Sequence, residues 1–366
     1  MADWHIAALR AFIAIFAILQ MSAFLLWVER KGSALIQNRF GANRASIFGL
    51  LPINLGFVNT LLADPIKLFT KEDFRPDGAD RFLHTLAPFL ALFPALVTFA
   101  AIPFGDTIEV GGRHIEMRAV GLDVGLLFVV AMVSMGVYGV VLAGWASNNR
   151  WALLGAIRGA AQMISYEVAL GMALVAMVLC YGTLDLQEMV RAQGRHIGGV
   201  VPAWGIVYQP LAFLIVFVSG MAESKRVPFD LPEAESELIA GYFTEYSGGK
   251  QAAFMLADFA EVVMVAGLSA TLFFGGWQVP FLSTDGWNFP GMATVAVAPW
   301  VVTLLQLAAF TVKVLFLCWL QILLRWTLPR FRYDQLMDLG WKGLIPLALA
   351  NLLLTALVVL LWGQPA

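Results

Sequence analysis

Long apolar stretches alternate with short polar segments along most of the 366-residue chain. A membrane-spanning α-helix needs about 20 predominantly apolar residues. Eight stretches are long enough, at residues 8–28, 84–104, 121–143, 161–181, 206–222, 251–275, 299–324 and 342–362. The pattern predicts an all-α integral membrane protein, with eight transmembrane helices in a single membrane domain that covers residues 1–366.

Composition supports this class and excludes others. The chain is 60% hydrophobic and 13% charged, whereas a soluble domain carries about 25% charged residues. Its basic residues form no stripe with interleaved aromatics, so we expect no nucleic-acid partner. Cys180 and Cys318 lie far apart inside apolar stretches, without a CxxC motif. We therefore expect no metal site, iron–sulfur cluster or covalent cofactor in this chain.

The distribution of Lys and Arg predicts the orientation in the membrane. The loops at 29–82, 144–160, 223–250 and 325–342 together hold 17 of the 23 basic residues, and the other loops with the termini hold five. Cytoplasmic loops carry the excess of positive charge. The first set is therefore predicted to be cytoplasmic, with both termini on the outer side.

The first cytoplasmic loop contains an apolar segment at 47–73 that Pro52 and Pro65 interrupt. This segment is too broken for a regular span. Part of it is predicted to be an amphipathic helix in the membrane interface, with Lys67 and Lys71 toward the headgroups. The alternative is a ninth, re-entrant span.

Charged residues inside the spans indicate function. Glu167, Asp258, Glu261 and Lys313 all fall within apolar stretches, where a charge costs roughly 2.5–3.5 kcal/mol at the bilayer centre. One explanation is structural pairing, for example of Lys313 with an acid. A proton path is favoured, because pairing explains one base and one acid but not the surplus acids.

The segment 222–249 concentrates six of the 25 acidic residues. Crowding and burial raise carboxyl pKa values, so such a cluster can exchange protons near neutral pH. Asp230-Leu-Pro-Glu233 fits a capping box at the start of a helix. Glu233 and Glu237 would then share one helix face, with Glu235 turned away. The simpler interpretation, acids that stabilise a helix N-terminus, accounts only for Asp230 and Glu233.

Several long motifs resemble one family. They are "VERKGSALIQNRFGANR", "ADPIKLFTKED", "GWASNNRWALLGAIRGAAQMISYE", "AESKRVPFDLPEAESELIAGYFTEYSGGK" and "PRFRYDQLMDLGWK". In this order they resemble the H subunit of bacterial respiratory complex I (NADH:quinone oxidoreductase), the counterpart of mitochondrial NADH dehydrogenase subunit 1. The resemblance implies a bacterial inner-membrane subunit with quinone as substrate. It implies partners as well: hydrophilic-arm subunits on the cytoplasmic loops, small and antiporter-like membrane subunits along the spans, and lipid.

The resemblance also assigns residues. Together with the charge pattern, it predicts a proton relay through Glu167, Glu223, Glu233, Glu235, Glu237, Glu245, Asp258 and Lys313. It implies a quinone chamber lined by Arg30, Arg39, Asp64, Lys67, Arg226 and Phe243, with Arg330 and Arg332 nearby.

The chain departs from the family pattern in its first loop, where "GANRASIF" (41–48) lacks the usual prolines and 50–64 contains an insertion. Two other functions remain open at this point: a membrane anchor of an energy-converting hydrogenase, and a stand-alone proton-coupled transporter. The partner subunits encoded beside this chain would distinguish the hydrogenase. The transporter class often shows inverted repeats, and no clear internal repeat is visible here.

Overall fold

The structure is a computed structural model that describes residues 3–41, 56–110, 113–198, 201–283, 286–288 and 295–364. Residues 42–55, with most of the departure in the first loop, lie outside the described part. The helices are α1 (Asp3–Ile36), α2 (Gly56–Thr70), α3 (Arg81–Phe99), α4 (Gly125–Ala146), α5 (Arg150–Tyr181), α6 (Leu186–Ala192), α7 (Gly205–Tyr208), α8 (Pro210–Glu223), α9 (Glu235–Leu238), α10 (Gly248–Phe273), α11 (Pro299–Thr327), α12 (Tyr333–Asp338) and α13 (Ile345–Trp362).

Short strands lie in the connections that follow α3, α5 and α10. They are β1 (Thr107–Val110), β2 (Arg113–Glu116), β3 (His196–Ile197), β4 (Val201–Pro202), β5 (Leu282–Ser283), β6 (Gly286–Trp287) and β7 (Val295–Ala296). The first four form two antiparallel pairs, with Thr107 opposite Glu116 in the longer one, and β5–β6–β7 form a three-stranded sheet. All three connections fall on the side that the charge distribution predicts to be outside.

Within the described residues, seven helical segments are long and apolar enough to cross a membrane. They are α1, α3, α4, α5, α10, α11 and the continuous segment from α12 through a π-helical stretch at Leu339–Leu344 to α13. This confirms an all-α multi-pass membrane protein. Helix α2 confirms a helix inside the predicted interfacial segment.

The predicted fifth span is divided in two. It consists of α7 and the 14-residue α8, which meet at Gln209. Fourteen residues extend about 21 Å, less than the hydrocarbon core of about 30 Å. The break coincides with Pro210, which lacks a backbone N–H and is well suited to begin a helix. Buried side chains from α13 fix the break: Asn351 Nδ2 donates to Gln209 Oε1 at 3.0 Å, and Gln209 Nε2 donates to Thr355 Oγ1 at 2.7 Å.

Polar caps set several helix ends. The Asp80 carboxylate accepts from two N–H groups in the first turn of α3, and the Asn149 side chain accepts from the N–H of Trp151 at the start of α5. Helix α5 therefore begins well before the predicted residue 161, because its polar first turns extend past the apolar stretch. It ends at Gly182, whose left-handed φ of 70° suits glycine.

Helix α10 lies at the centre of the bundle. It packs against α1, α2, α3, α8 and α11, and its side chains from Ala257 to Phe273 are all buried. By contrast, α1 and α13 expose large apolar side chains on their outer faces. A buried helix that carries charges needs partners for them inside the protein, and these partners define the candidate site.

Candidate functional site

A buried lysine forms the centre of the site. Lys225 follows α8, and its side chain is only 2% exposed. Its Nζ donates to both carboxylate oxygens of Glu261, at 2.9 and 2.7 Å, and lies 3.2 Å from Oδ1 of Asp258. The two acids are one turn apart on α10, so one ammonium group bridges both. Burial alone would lower the pKa of Lys225, but Glu261 and Asp258 outweigh it and raise the pKa above its ordinary value.

Glu223, the last residue of α8, differs from these two acids. It is 1% exposed, and neither of its carboxylate oxygens has a hydrogen-bond partner among the described residues. Glu167, Glu261 and Lys225 are charged groups that interact with it electrostatically. Buried polar groups nearly always have partners, so an unpartnered carboxyl group is a functional candidate.

Glu167 lies on α5 and is partly buried beside Ser134 of α4. Its Oε1 also lacks a hydrogen-bond partner in the described part of the chain. A cavity of about 20 Å³ borders Glu223 between α4, α5, α8 and α10. A space of this size holds about one water molecule. Its other walls are apolar and include Val129, Val133, Leu170, Val216 and Met264.

Helix α5 positions the end of α8. The buried Gln162 side chain donates from Nε2 to the carbonyl oxygens of Ala222 and Phe229, both at 2.7 Å. One turn further along α5, Tyr166 donates to the carbonyl of Leu336 at 3.0 Å. These bonds fix the segment that carries Glu223 and Lys225 against α5 and the last span.

A second ionic cluster joins α1, α10 and α11 to the loop after α8. Arg226 Nη1 donates to Glu29 Oε2 at 2.6 Å, and Arg325 Nη1 lies 2.7 Å from Glu29 Oε1. The Arg226 guanidinium also stacks over the Phe259 ring, 3.6 Å from its centroid. Arg226, predicted to line the quinone chamber, is therefore held by α1 and α10.

The predicted capping helix in the loop is wrong. Helix α9 begins at Glu235 and has only four residues, and Ala234 before it adopts a left-handed φ of 34°. Glu233 precedes the helix, so it does not share a helix face with Glu237. The Asp230 carboxylate accepts from Arg330 Nη2 at 2.5 Å. This contact spans 100 residues, and local capping rules do not include it.

The two loop acids nearest the cluster have raised pKa values. Burial, followed by the charges of Asp258 and Asp230, raises the pKa of Glu233 to about 8, although Arg226 opposes the shift. Burial raises the pKa of Asp230 to about 6 and outweighs the opposing effect of Arg330. These two values lie on either side of neutral pH, as expected for groups that exchange protons.

The other loop acids lie in more polar surroundings. Glu237 Oε2 pairs with Arg158 Nη1 at 2.7 Å and is nearly half exposed. Glu245 Oε1 accepts from Asn149 Nδ2 at 2.6 Å. For Glu235 the structure describes the backbone but not the side chain.

The residues predicted to line the chamber are only partly brought together. Arg30 of α1 pairs with Asp64 of α2, at 2.7 Å between Nη2 and Oδ2. Arg39 and Lys67 are exposed, and Arg39 Nε donates to Gln37 Oε1 at 2.7 Å. This chain alone does not enclose them.

Phe243 packs within the chain, at 4.2 Å from Tyr242 and 5.9 Å from Phe254 between ring centroids. It ends a 3₁₀ turn, Gly241–Phe243, within the acidic segment 222–249. The structure therefore gives Phe243 aromatic packing contacts.

Lys313 lies apart from the carboxylates. Its Nζ donates to three backbone carbonyls just after α10, those of Phe274, Gly276 and Gln278, at 2.8, 2.9 and 2.7 Å. It also lies 4.7 Å from the Trp204 ring centroid. Among the described residues Lys313 pairs with no acid, in contrast to the structural pairing suggested above, and its role in a relay stays a prediction.

Sequence reasoning missed Lys225 and Glu29. In the sequence Lys225 is one of the basic residues of the loop 223–250, and the two acids in the sixth span are the signal that a base lies nearby. Glu29 directly precedes Arg30 at the end of the first apolar stretch, and no local pattern distinguishes it. Within the described ranges, no group of three His, Cys, Asp or Glu side chains forms a possible metal site.

The fold and site define an α-helical membrane protein that holds carboxylates among its spans and in one loop. Comparison with known proteins identifies the family of this chain. Residues 9–356 match the family described as NADH dehydrogenase. The chain belongs to this family, which confirms the resemblance that the sequence motifs indicated.

Individual relatives match over nearly their whole length. The second of the NADH-quinone oxidoreductase H subunits of Geobacter sulfurreducens is 48% identical, over 94% of this chain and 94% of the relative. The H subunit of the Thermomicrobium roseum enzyme is 43% identical, over 99% and 98% respectively. The first H subunit of Cytophaga hutchinsonii is 42% identical, over 95% of each.

Proposed function

We propose that this chain is the membrane subunit that closes the quinone chamber of a proton-pumping NADH-quinone oxidoreductase and couples quinone reduction to proton translocation. The names and coverage of its relatives support this function. The subunit needs no redox centre of its own, since electrons arrive from an iron–sulfur centre on a neighbouring subunit. Reduction of quinone to quinol consumes two electrons and two protons, and the carboxylates of this chain respond to that demand.

The arrangement in the membrane follows from the same proposal. Helices α7 and α8 together serve as the fifth of eight spans, α2 lies in the interface, and both termini face the periplasm of a bacterial inner membrane. The excess of Lys and Arg in one set of loops supports this orientation. Those loops dock on the hydrophilic arm, and the spans contact other membrane subunits and lipid.

The chamber lies between α1, α2 and the loop after α8. The Arg30–Asp64 pair supports this position because it joins α1 to α2, and Arg226 provides a positive charge at the neighbouring surface of α10. Arg39 and Lys67 become enclosed when a hydrophilic-arm subunit covers the loops. In this arrangement the partner chain completes the wall that this chain leaves open.

The relay runs from the loop acids Asp230 and Glu233 to Glu223, and then to Glu167. The unpartnered Glu223 carries the proposal, because a group that transfers protons must be free to exchange hydrogen-bond partners. The adjoining cavity leaves the Glu223 side chain a space of about one water molecule in which to move. Asp258 and Glu261 share the single charge of Lys225, so a proton added to the cluster is distributed over several coupled groups.

The test is Glu223→Gln in the assembled complex, studied in sealed vesicles. Loss of one proton-transfer group typically lowers a rate by 10²–10⁴-fold. We expect quinone-linked NADH oxidation and proton pumping to fall together by at least about tenfold, with electron transfer to an artificial hydrophilic acceptor unchanged.

The matched control is Asp338→Asn, which removes an exposed acid that pairs with the neighbouring Lys342. It should keep the rates of the wild type. Normal assembly with full quinone reduction and pumping in Glu223→Gln would show that the carboxylate is structural.

A further inference from the structure

A large apolar cavity lies far from the carboxylates, between α1, α3, α11 and the β1–β2 hairpin. Its volume is about 420 Å³, within the range of roughly 300–1,000 Å³ that is typical of small-molecule sites. Almost all of its wall is apolar, and the charged exceptions are Arg10 and Glu116. The function proposed above makes no use of this cavity.

The cavity follows one face of α1 for about half the thickness of a membrane. Its α1 residues recur at intervals of three and four, the spacing of a single helix face. From Arg10 to Met21 the helix rises about 16 Å, which is close to half of a hydrocarbon core of about 30 Å. A facing stripe on α11 has the same spacing. The two stripes are Arg10, Ile13, Ala14, Ala17 and Met21, and Leu307, Phe310, Thr311 and Val314.

Small side chains create the space. Ala14 and Ala17 stand where α1 faces α11, opposite the larger Phe310 and Val314. A water-filled cavity would need polar partners along its walls, and these walls provide few. An extended hydrocarbon chain matches both the length and the chemistry of the space.

Arg10 lies at the end of the cavity nearest the chain terminus. Its Nη1 donates to the carbonyl oxygen of Glu116 at 3.3 Å, while its buried Nε has no hydrogen-bond partner among the described residues. Among the described contacts the Glu116 carboxylate forms no ion pair with Arg10, and its Oε2 accepts from Arg118 Nε at 2.8 Å. Arg118 is in turn held by Asp185. Arg10 thus retains donors for an anion at the level where headgroups are expected.

We propose that this cavity binds one acyl chain of an anionic phospholipid, whose phosphate accepts hydrogen bonds from Arg10. The phosphate satisfies the buried guanidinium donor, and the chain fills the space beside Ala14 and Ala17. The lipid belongs to the leaflet that faces the termini. The site depends on α1 and α11 being spans, and it is independent of the quinone and relay proposal.

The test measures lipid retention by the intact purified complex. The complex is delipidated in mild detergent and given dioleoyl phosphatidylglycerol, and native mass spectrometry counts the bound molecules. The variants are Arg10→Gln, which removes the anion contact, and Ala17→Phe, which fills the cavity. Each should bind one phosphatidylglycerol fewer than the wild type, or bind that molecule at least about tenfold more weakly.

Two controls keep the result interpretable. Arg191→Gln removes a positive charge from the same side, where Arg191 pairs with Asp106 at the surface, and it should retain the lipid. Inorganic phosphate should not displace it. If the complex with Ala17→Phe does not assemble, Ala14→Val, which fills less of the cavity, is used instead.

Equal lipid counts in the wild type and Arg10→Gln would overturn the proposal. So would an electron cryomicroscopy map in which a partner helix or a quinone tail occupies the cavity. Displacement by inorganic phosphate would also overturn it, because the acyl chain would then contribute nothing to binding.

Discussion

Two lysines contact α10, Lys225 at its middle and Lys313 just beyond its last residue, and their surroundings differ. Lys225 is bound by the carboxylates of Asp258 and Glu261, midway along the helix. Lys313 is bound by backbone carbonyls just beyond Phe273, the last residue of the helix. From Glu261 to that end the helix rises about 18 Å, so the two ammonium groups serve separate regions.

The two lysines have different roles: Lys225 compensates buried negative charge, and Lys313 binds the backbone after a helix end. Lys313 binds carbonyl groups of the turn that follows the C-terminus of α10, where the helix dipole also favours a cation. Lys225 has one charge for two acids, with Glu223 close by and without a hydrogen-bond partner in the described part of the chain. Of these two surroundings, as far as the structure describes them, the one around Lys225 has more acids than bases, and that is where proton exchange is expected.

The largest effect is expected from Lys225→Met. The substitution leaves two buried carboxylates without their cation, and breaking a buried ion pair in this way costs about 3–5 kcal/mol. We expect the subunit to be lost from the membrane or the complex to fail to assemble, as measured by native gel electrophoresis and immunoblotting.

The control for this prediction is Lys342→Met, since Lys342 pairs with Asp338 at an exposed i,i+4 position. It should assemble normally. A second variant, Lys225→Met with Glu261→Gln, should recover part of the lost complex. If the single variant assembled at the wild-type level, Lys225 would not be compensating these acids.

A smaller effect is expected from Lys313→Met. Three carbonyls lose their donor, and leaving buried polar groups unsatisfied costs about 1–3 kcal/mol in total when water enters to replace part of the contact. The melting temperature of the complex should fall, while the number of protons pumped per NADH stays unchanged. A normal melting temperature with reduced pumping would instead place Lys313 in the proton relay.

The titration of Glu233 should be visible in the pH dependence of stability. Its pKa rises from 4.5 to about 8 on folding, first through burial and then through Asp258 and Asp230. The folded state holds this proton more tightly, so the stability that it contributes is lost as the pH rises from about 4.5 to about 8.

The measurement compares the melting temperatures of the wild type and Glu233→Gln between pH 5 and 9. The melting temperature of the variant should rise relative to that of the wild type up to about pH 8, and the difference should stay constant above this pH. Arg226 and Arg325 face the same group and are present in both proteins. Parallel curves over the whole range would mean that Glu233 is not the titrating group.

The smallest effect is expected from Glu237→Gln. This acid forms an exposed pair with Arg158, and such pairs contribute about 0–1 kcal/mol. Quinone-linked activity and pumping in vesicles should stay within about twofold of the wild type. A loss as large as that expected for Glu223→Gln would move the relay from the buried acids to the surface of the loop.

Sequence patterns predicted the class of protein and most of its helices. Hydropathy located seven long helical spans, because burial in lipid imposes long apolar stretches whatever the neighbours are. The ends were less accurate. Polar first turns extend α5 to Arg150, and Gln209 with Pro210 divides the predicted fifth span. Local averages of hydropathy detect neither feature.

The loop acids show where local rules fail. The pattern Asp230-Leu-Pro-Glu233 matched a capping box, yet Asp230 pairs with Arg330 and the helix starts only at Glu235. The carboxylate that the pattern assigns to a helix cap instead accepts a hydrogen bond from Arg330. A local sequence pattern gives no sign of a partner that lies 100 residues away.

By itself, the sequence determined that the chain crosses a membrane, that it carries more acids than bases within its spans, and which family it resembles. The tertiary structure alone decided which acids have a cation and which do not. Lys225 meets Glu261 across 36 residues, and Gln162 holds the end of α8 across 60. Such contacts depend on how helices pack, and packing is set by all the faces of a bundle together, so no single stretch of sequence specifies them.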